Sequence, residues 1–395
     1  MARGLLANPS VVKRRFRKGV MIAVAIYLAS SVAIAAWLMP AGREQPPIAF
    51  PSPEENPKIH ASPEARNTAL RRARVWASSG GDADLAANPA DPGGLLSQPM
   101  VRCRYQDGPA SGTTAKFDCV LPNGEVVKVK YGYSGEIHAE IAASRLLAAA
   151  GFGADRMFMI ERVRCYGCLR TPYYTMKVLD YFRARERVAR SVPEDSYTDF
   201  EWAAVERRFE GAEIEARDDG GWAWFELDAV DGAAGASRAE RDALRLFAVL
   251  LAHWDNKAAN QRLMCLSPSS ADAAACARPF AYIHDLGATF GPNKVTLDHW
   301  TKAPIWSDRR RCTVSMRQFP YSGGTFPDTQ ISEAGRQLLA RQLARFTEPR
   351  LVALFTAARF PEFHGGSGKG ADPKRWAAAF LDKARAIADA GPCPE

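Results

Sequence analysis

Between Lys18 and Arg43 the chain has no charged residue, and before Cys103 it has no cysteine. The first absence excludes an ordinary solvated segment. Val20 to Met39 is an unbroken apolar run, and a helix of that length spans about 30 Å, the thickness of a hydrocarbon core. The second absence confines Cys103, Cys119, Cys165, Cys168, Cys265, Cys276, Cys312 and Cys393 to the part after that run. An even count on one side of the run suggests disulfides rather than free thiols. Cys165-Tyr166-Gly167-Cys168 has neither a second C-x-x-C nor a histidine cluster to complete a zinc site. A redox pair would open a helix, whereas this one reads as lying between two strands, which favours a local disulfide or a plain turn over a metal or redox role. The net charge of +8 sits partly in the N-terminal tail. No nucleic-acid motif accompanies it, so nucleic acid is not expected as a partner.

What is present around the apolar run sets a topology. Arg3, Lys13, Arg14, Arg15, Arg17 and Lys18 precede it, while only Arg43 follows before Glu44, Glu54 and Glu55. The positive-inside rule puts residues 1–19 in the cytoplasm as a basic tail, and everything after the span outside, in the periplasm or extracellular space. A cleaved signal peptide is the competing reading, since Ala33-Ile34-Ala35 resembles a cleavage site. The length of the run favours an uncleaved anchor over residues 20–39.

At 395 residues there is room for one large domain or two lobes. Prolines at 40, 46, 47, 51, 53 and 57 and the Gly-Gly breaks make residues 40–98 read as a Pro/Gly-rich tether, with a short helix from the Ser62 cap to about Ala77. From Met100 the pattern turns to β. Val101–Gln106 and Ala115–Leu121 flank a loop over Asp107–Thr114, and Cys103 and Cys119 fall close enough for a cross-strand disulfide. Gly108 and Gly112 would let backbone N–H groups in that loop approach phosphates, although an ordinary glycine-bearing turn fits them as well. Asn123-Gly124 makes a hairpin turn into Val126–Tyr131, which puts Lys128 and Lys130 on one strand face.

Gly135 to Ala150 reads as a helix with Glu136 and Glu140 on one side. Phe158–Arg164 and Pro172–Leu179 read as two further strands. Residues 182–236 carry no clear pattern, and their tryptophans read as packing. Ser237 and Glu240 form a capping box that opens an apolar helix running into His253. Gln261–Leu266 and Pro279–His284 form a hairpin that Cys265 and Cys276 would staple. Ala288–Pro327 lacks periodicity and holds Arg309-Arg310-Arg311, which fits a solvated basic loop. Three amphipathic helices, at Ile331–Phe346, Pro349–Arg359 and Pro373–Ala390, complete a helical region. Cys312 and Cys393 remain as a long-range pair.

The chemistry concentrates in His253-Trp254-Asp255-Asn256-Lys257-Ala258-Ala259-Asn260 and His284-Asp285-Leu286-Gly287. The spacing H-x-D-x-K-x-x-N resembles the catalytic loop of the protein-kinase superfamily, and D-L-G resembles its metal-binding D-F-G. The order is also similar: glycine-bearing hairpin, strand lysine, helix glutamate, buried helix, catalytic loop, hairpin and D-L-G. Among relatives it looks closest to the secretory-pathway, spore-coat and HipA-type kinases.

The resemblance implies an α+β, bilobal protein-kinase-like fold, with an antiparallel β N-lobe over 99–180 and a helical C-lobe over 181–395. It implies ATP as co-substrate with Mg²⁺ or Mn²⁺. Asp255 would orient or deprotonate an acceptor hydroxyl, and Lys257 would neutralise the transferred phosphoryl group. Asn260 and Asp285 would hold the metal, and His253 would brace the loop. Lys130, or alternatively Lys128, would grip the nucleotide phosphates, paired with Glu140 or Glu136. Gly108 and Gly112 would cover those phosphates. The acceptor, protein or small molecule, is unnamed by the sequence. A non-catalytic envelope scaffold and a kinase-fold nucleotidyl or glutamyl transferase are the alternative functions.

Overall fold

The structure, a computed structural model, describes residues 38–78, 83–108, 112–216, 221–267, 272–292, 294–319 and 323–394. The expected span at 20–39 lies almost wholly outside them. Among the described residues no helix is long and apolar enough to cross a membrane.

In chain order the elements that matter begin with β1 (Gly42–Arg43), β2 (Lys58–Ala61) and α1 (Pro63–Arg71). Next come β3 (Met100–Gln106), β4 (Lys116–Val120), β5 (Val126–Lys130), α2 (Gly135–Ala149) and β6 (Arg156–Tyr166). Then follow α3 (Pro172–Tyr181), α4 (Arg185–Ser191), β7 (Ser196–Arg207), β8 (Ala212–Ala216) and α5 (Arg238–Leu251). The remainder is β9 (Gln261–Cys265), β10 (Pro279–Ile283), α6 (Leu297–Lys302), α7 (Glu333–Leu343), α8 (Glu348–Ala357) and α9 (Pro373–Ala388).

Strands β3 to β7 close on themselves. The order runs β7-β5-β4-β3-β6, and β6 pairs back onto β7. Most neighbours are antiparallel, while β3 and β6 are parallel. Cys103, Phe117, Cys119, Val127, Val129, Phe158, Ile160, Cys165, Phe200 and Val205 fill the interior. Lys116, Asp118, Lys128, Lys130 and Glu206 share the other face by register, since Lys116 lies opposite Lys130 and Lys128 lies opposite both Asp118 and Glu206. A larger core gathers α2 and the helices after residue 237 around Phe247, Phe290, Trp300, Phe355 and Trp376. A second sheet, β10-β9-β8-β2, flanks that core.

Several expectations are met in outline. Helices start near Gly135, Arg238, Glu333, Glu348 and Pro373, and the β9–β10 hairpin forms. All four disulfides form: Cys103–Cys119, Cys165–Cys168, Cys265–Cys276 and Cys312–Cys393. The first is not directly cross-strand, because Cys119 lies opposite Tyr105 rather than Cys103.

Others are corrected. Pro172–Leu179, expected as a strand, is helix α3. Pro172 occupies its first turn, and Tyr173, Met176 and Leu179 recur at helical spacing, Tyr173 packing on the strand-ring core and the other two facing Leu169 and Val192. Much of the expected tether is built into the body. β1 pairs with β7, β2 pairs in parallel with β8, and Ile59, Leu70, Ala73 and Val75 enter the large core. Its apolar residues are too scattered among prolines to show a period, yet backbone pairing with existing strands needs none. Within Ala288–Pro327, α6 buries Leu297 and Trp300.

Candidate functional site

The site is set between the outer face of the strand ring and the end of α5. That helix starts as a reciprocal capping box: Glu240 N–H donates to Ser237 Oγ (3.3 Å), and Ser237 N–H donates to Glu240 Oε2 (2.7 Å). It stops where Ala252 turns left-handed (φ 54°) and His253 N–H donates to the Ala248 carbonyl (2.9 Å). His253 is fully buried, and burial lowers its imidazole to about 4, so it sits neutral among packed groups. The chain then exits into the Asp255 loop. Asn256 pins that loop from behind, its side-chain oxygen accepting from Thr325 N–H (2.9 Å) and Phe326 N–H (3.1 Å).

Asp255 Oδ2 meets Lys257 Nζ at 3.2 Å. Its Oδ1 is buried, and among the described residues nothing donates to it. A buried carboxylate oxygen without a donor is costly unless a ligand completes it. Asn260 Nδ2 donates to the Asp255 carbonyl (2.6 Å), and the Asn260 carbonyl accepts from His284 N–H (2.9 Å) and Asp285 N–H (3.1 Å). Backbone hydrogen bonds thus fasten the two motifs to each other. Cys265–Cys276 closes the far end of the hairpin that joins them.

Lys130 is 2% exposed and lies at 2.5 Å from Glu140, 3.2 Å from Glu206 and 3.8 Å from Glu136. Burial works to discharge an ammonium, but the surrounding carboxylates of Glu140, Glu206, Asp285 and Glu136 outweigh it and hold Lys130 well above its ordinary range. Lys128 instead pairs with Glu206 at 2.7 Å. The geometry therefore separates the two lysines and gives Glu140 to Lys130. Glu136 receives Lys294 at 2.8 Å and the Thr114 hydroxyl.

Oxygens of Glu136, Glu140 and Asp285 lie within 4.8 Å of one another. Burial would raise Asp285, but Lys130, His284 and the Gly287 N–H keep it well below the usual carboxylate range, hence ionised. Such hard oxygen donors suit Mg²⁺ or Mn²⁺. Gly287 shows why D-L-G ends in glycine: a Cβ there would stand 1.9 Å from Glu136 Cγ. The helix rests directly on the motif.

Gly108 and Gly112 flank the loop between β3 and β4, whose residues 109–111 lie outside the described set. Gly112 takes φ +77°. Its carbonyl accepts from Tyr173 OH (2.6 Å) and Lys177 Nζ (2.9 Å), and Arg185 donates to the Gly108 carbonyl.

Three site members escaped sequence reasoning. Glu206, Lys294 and Lys116 all bear on the Lys130 group, and Lys116 is held below its normal range by burial and by repulsion from Lys130 and Lys128. Lys116 had a usable signal, because pairing β4 with β5 through the Asn123-Gly124 turn puts it opposite Lys130. The other two lie in stretches with no readable period.

No family model matches the chain, and no curated protein sequence matches it. Among solved structures, one that it resembles is the crystal structure of a Helicobacter pylori proinflammatory kinase, CtkA. That likeness covers 73% of this chain and 94% of the other, at 12% sequence identity and a TM-score of 0.40. So coarse a likeness carries no weight beside the geometry of the site.

Proposed function

We propose that this chain is a kinase-like phosphotransferase, held at a membrane by its N-terminal apolar run, with its folded body on the extracytoplasmic side. One observation carries the reading: a fully buried strand lysine, Lys130, ion-paired to a helix glutamate and adjoining the ionised Asp285 of D-L-G. A scaffold has no use for a charge buried at that cost. The location draws support from the basic tail before the run and from four disulfides after it.

In this reading the nucleotide phosphates lie between Lys130 and the loop bounded by Gly108 and Gly112. Asp285 and Asn260, with Glu136 beside them, would hold Mg²⁺ or Mn²⁺, which neutralises charge on the phosphates. Asp255 Oδ1, buried and without a donor among the described residues, accepts the proton of an acceptor hydroxyl as that oxygen bonds to the γ-phosphorus and the bond to ADP breaks. Lys257, 3.2 Å from Asp255, balances charge on the phosphoryl group in transit.

The test is transfer of label from ATP by the full chain in detergent or nanodiscs. Transfer from γ-labelled but not α-labelled ATP, falling at least about a hundredfold in Asp255→Asn, supports a kinase. Transfer of α-label means nucleotidyl transfer. No transfer of either label, with nucleotide binding unchanged in Asp285→Ala, removes both the activity and the metal site.

A further inference from the structure

We propose that α3 and α4 form an interfacial foot that rests on an anionic bilayer surface, so that the phosphate-loop side of the cleft faces the membrane. The proposal rests on the anchored reading above. It adds a second contact, made by the folded body.

Three independent features meet there. The first is where the chain arrives. The carbonyls of Leu38 and Met39 accept from the Arg170 N–H and Arg170 Nε, each at 3.1 Å. Arg170 immediately precedes Thr171, the N-cap of α3. The apolar run Val20–Met39 therefore ends against the start of this helix, with no spacer between.

The second feature is the outward face of α3. Its inner side packs on Leu169 and Val192, but Tyr174, Val178 and Tyr181, at i, i+4 and i+7, are 56%, 56% and 84% exposed. Phe182 follows at 69%. A soluble helix normally turns such a stripe inward. Tyrosines beside aliphatic and phenyl groups suit the headgroup boundary, where a ring is half wet and half dry.

The third is charge. Along 170–190 the exposed cations Arg170, Lys177, Arg183, Arg187 and Arg190 outnumber the exposed acids Asp180 and Glu186. A second copy of the chain docked symmetrically would bring these arginines against their own equivalents. Anionic lipid phosphates meet them favourably. Behind the foot, Tyr173 and Lys177 hold the Gly112 carbonyl, and Arg185 holds Asp107 at 2.7 Å together with the Gly108 carbonyl. The element that touches lipid is thus the element that fastens both ends of the phosphate loop.

The test uses the full chain carrying Tyr181→Trp, in nanodiscs of phosphatidylcholine with or without one third phosphatidylglycerol. The signal is the emission added over wild type. On anionic discs it should be quenched by lipids brominated near the headgroup. Arg183→Gln and Arg187→Gln should each weaken the contact about fivefold. Alkaline extraction reports insertion separately. Inserted chain whose added emission is the same in brominated and plain lipid overturns the proposal. Blue-shifted emission without quenching does the same, because the chain's own residues then cover the face. Chain released by alkali removes the anchor instead. Quenching of that released chain by anionic brominated vesicles would still support the foot, and its absence would end it.

Discussion

Lys130 stands among four acids, and one of them, Glu206, comes from a strand far away in sequence. Glu206 is held well below its usual range: burial opposes this, but Lys128 and Lys130 prevail. Glu206→Gln leaves both lysines short of a partner and should cost about 3–5 kcal/mol in denaturant unfolding. Adding Lys128→Met should recover part of that loss. Gly287→Ala pushes a methyl into Glu136 and should cost about 1–3 kcal/mol, with transfer activity falling further than stability. His253 gives a pH signature. Its folded value of about 4 lies below the unfolded value of about 6.5, so the unfolded chain takes the proton first as pH falls. Stability is complete above about pH 6.5 and is lost down to about pH 4, by roughly 3 kcal/mol. His253→Phe should flatten that part of a pH series of unfolding curves. At this scale the sequence was most legible where spacing is local. Asp255, Lys257, Asn260 and Asp285 fall within two short motifs, and Glu140 follows Lys130 by only 10 residues, on the next helix. Glu206 and Lys294 were hidden, because only tertiary pairing brings them to the lysines.

At the scale of elements, capped helices were easy to read, whereas of the long strands only the middle of β6 was, as Phe158–Arg164, and β7 was not. Phe158 and Ile160 point into the ring, and so do Val163 and Cys165, which changes the phase of the alternation within β6. The same change separates Phe200 from Ala203 and Val205 in β7, where Trp202 adopts φ +51°. Met157, Met159 and Ala204 meanwhile join the larger core, so both faces are apolar at that end. A strand buried on both sides with its phase changed midway leaves no period-two trace. Helix α3 failed for another reason: its aromatic and β-branched residues favour strand, and only tertiary packing on Leu169 and Val192 decides the matter. By contrast, the Ser237–Glu240 box is pure local chemistry. Ser237→Ala should cost about 1 kcal/mol of thermal stability, with the Asp255 loop otherwise intact.

Across the whole molecule the disulfides rank by the loops they close. Cys312–Cys393 spans 81 residues and Cys265–Cys276 spans 11. On chain entropy alone they stabilise by about 4.5 and about 2.8 kcal/mol. Removing each pair as a double alanine variant should reproduce that order in denaturant midpoints. The reverse order would mean that the β9–β10 hairpin, and hence the spacing of Asp255 and Asp285, depends on its staple.

The ring of β3 to β7 has a mechanical consequence. An open sheet can splay or coil at its free edges, whereas a closed cylinder of strands resists bending and moves as a block. Lys130 rides on that cylinder, and its partner Glu140 rides on a helix that rests on Gly287 below. The roof over Asp285 therefore keeps its curvature as a unit. The spacing of Lys130 from Glu140 is then set by how cylinder and helix seat on each other, and not by the curvature of either.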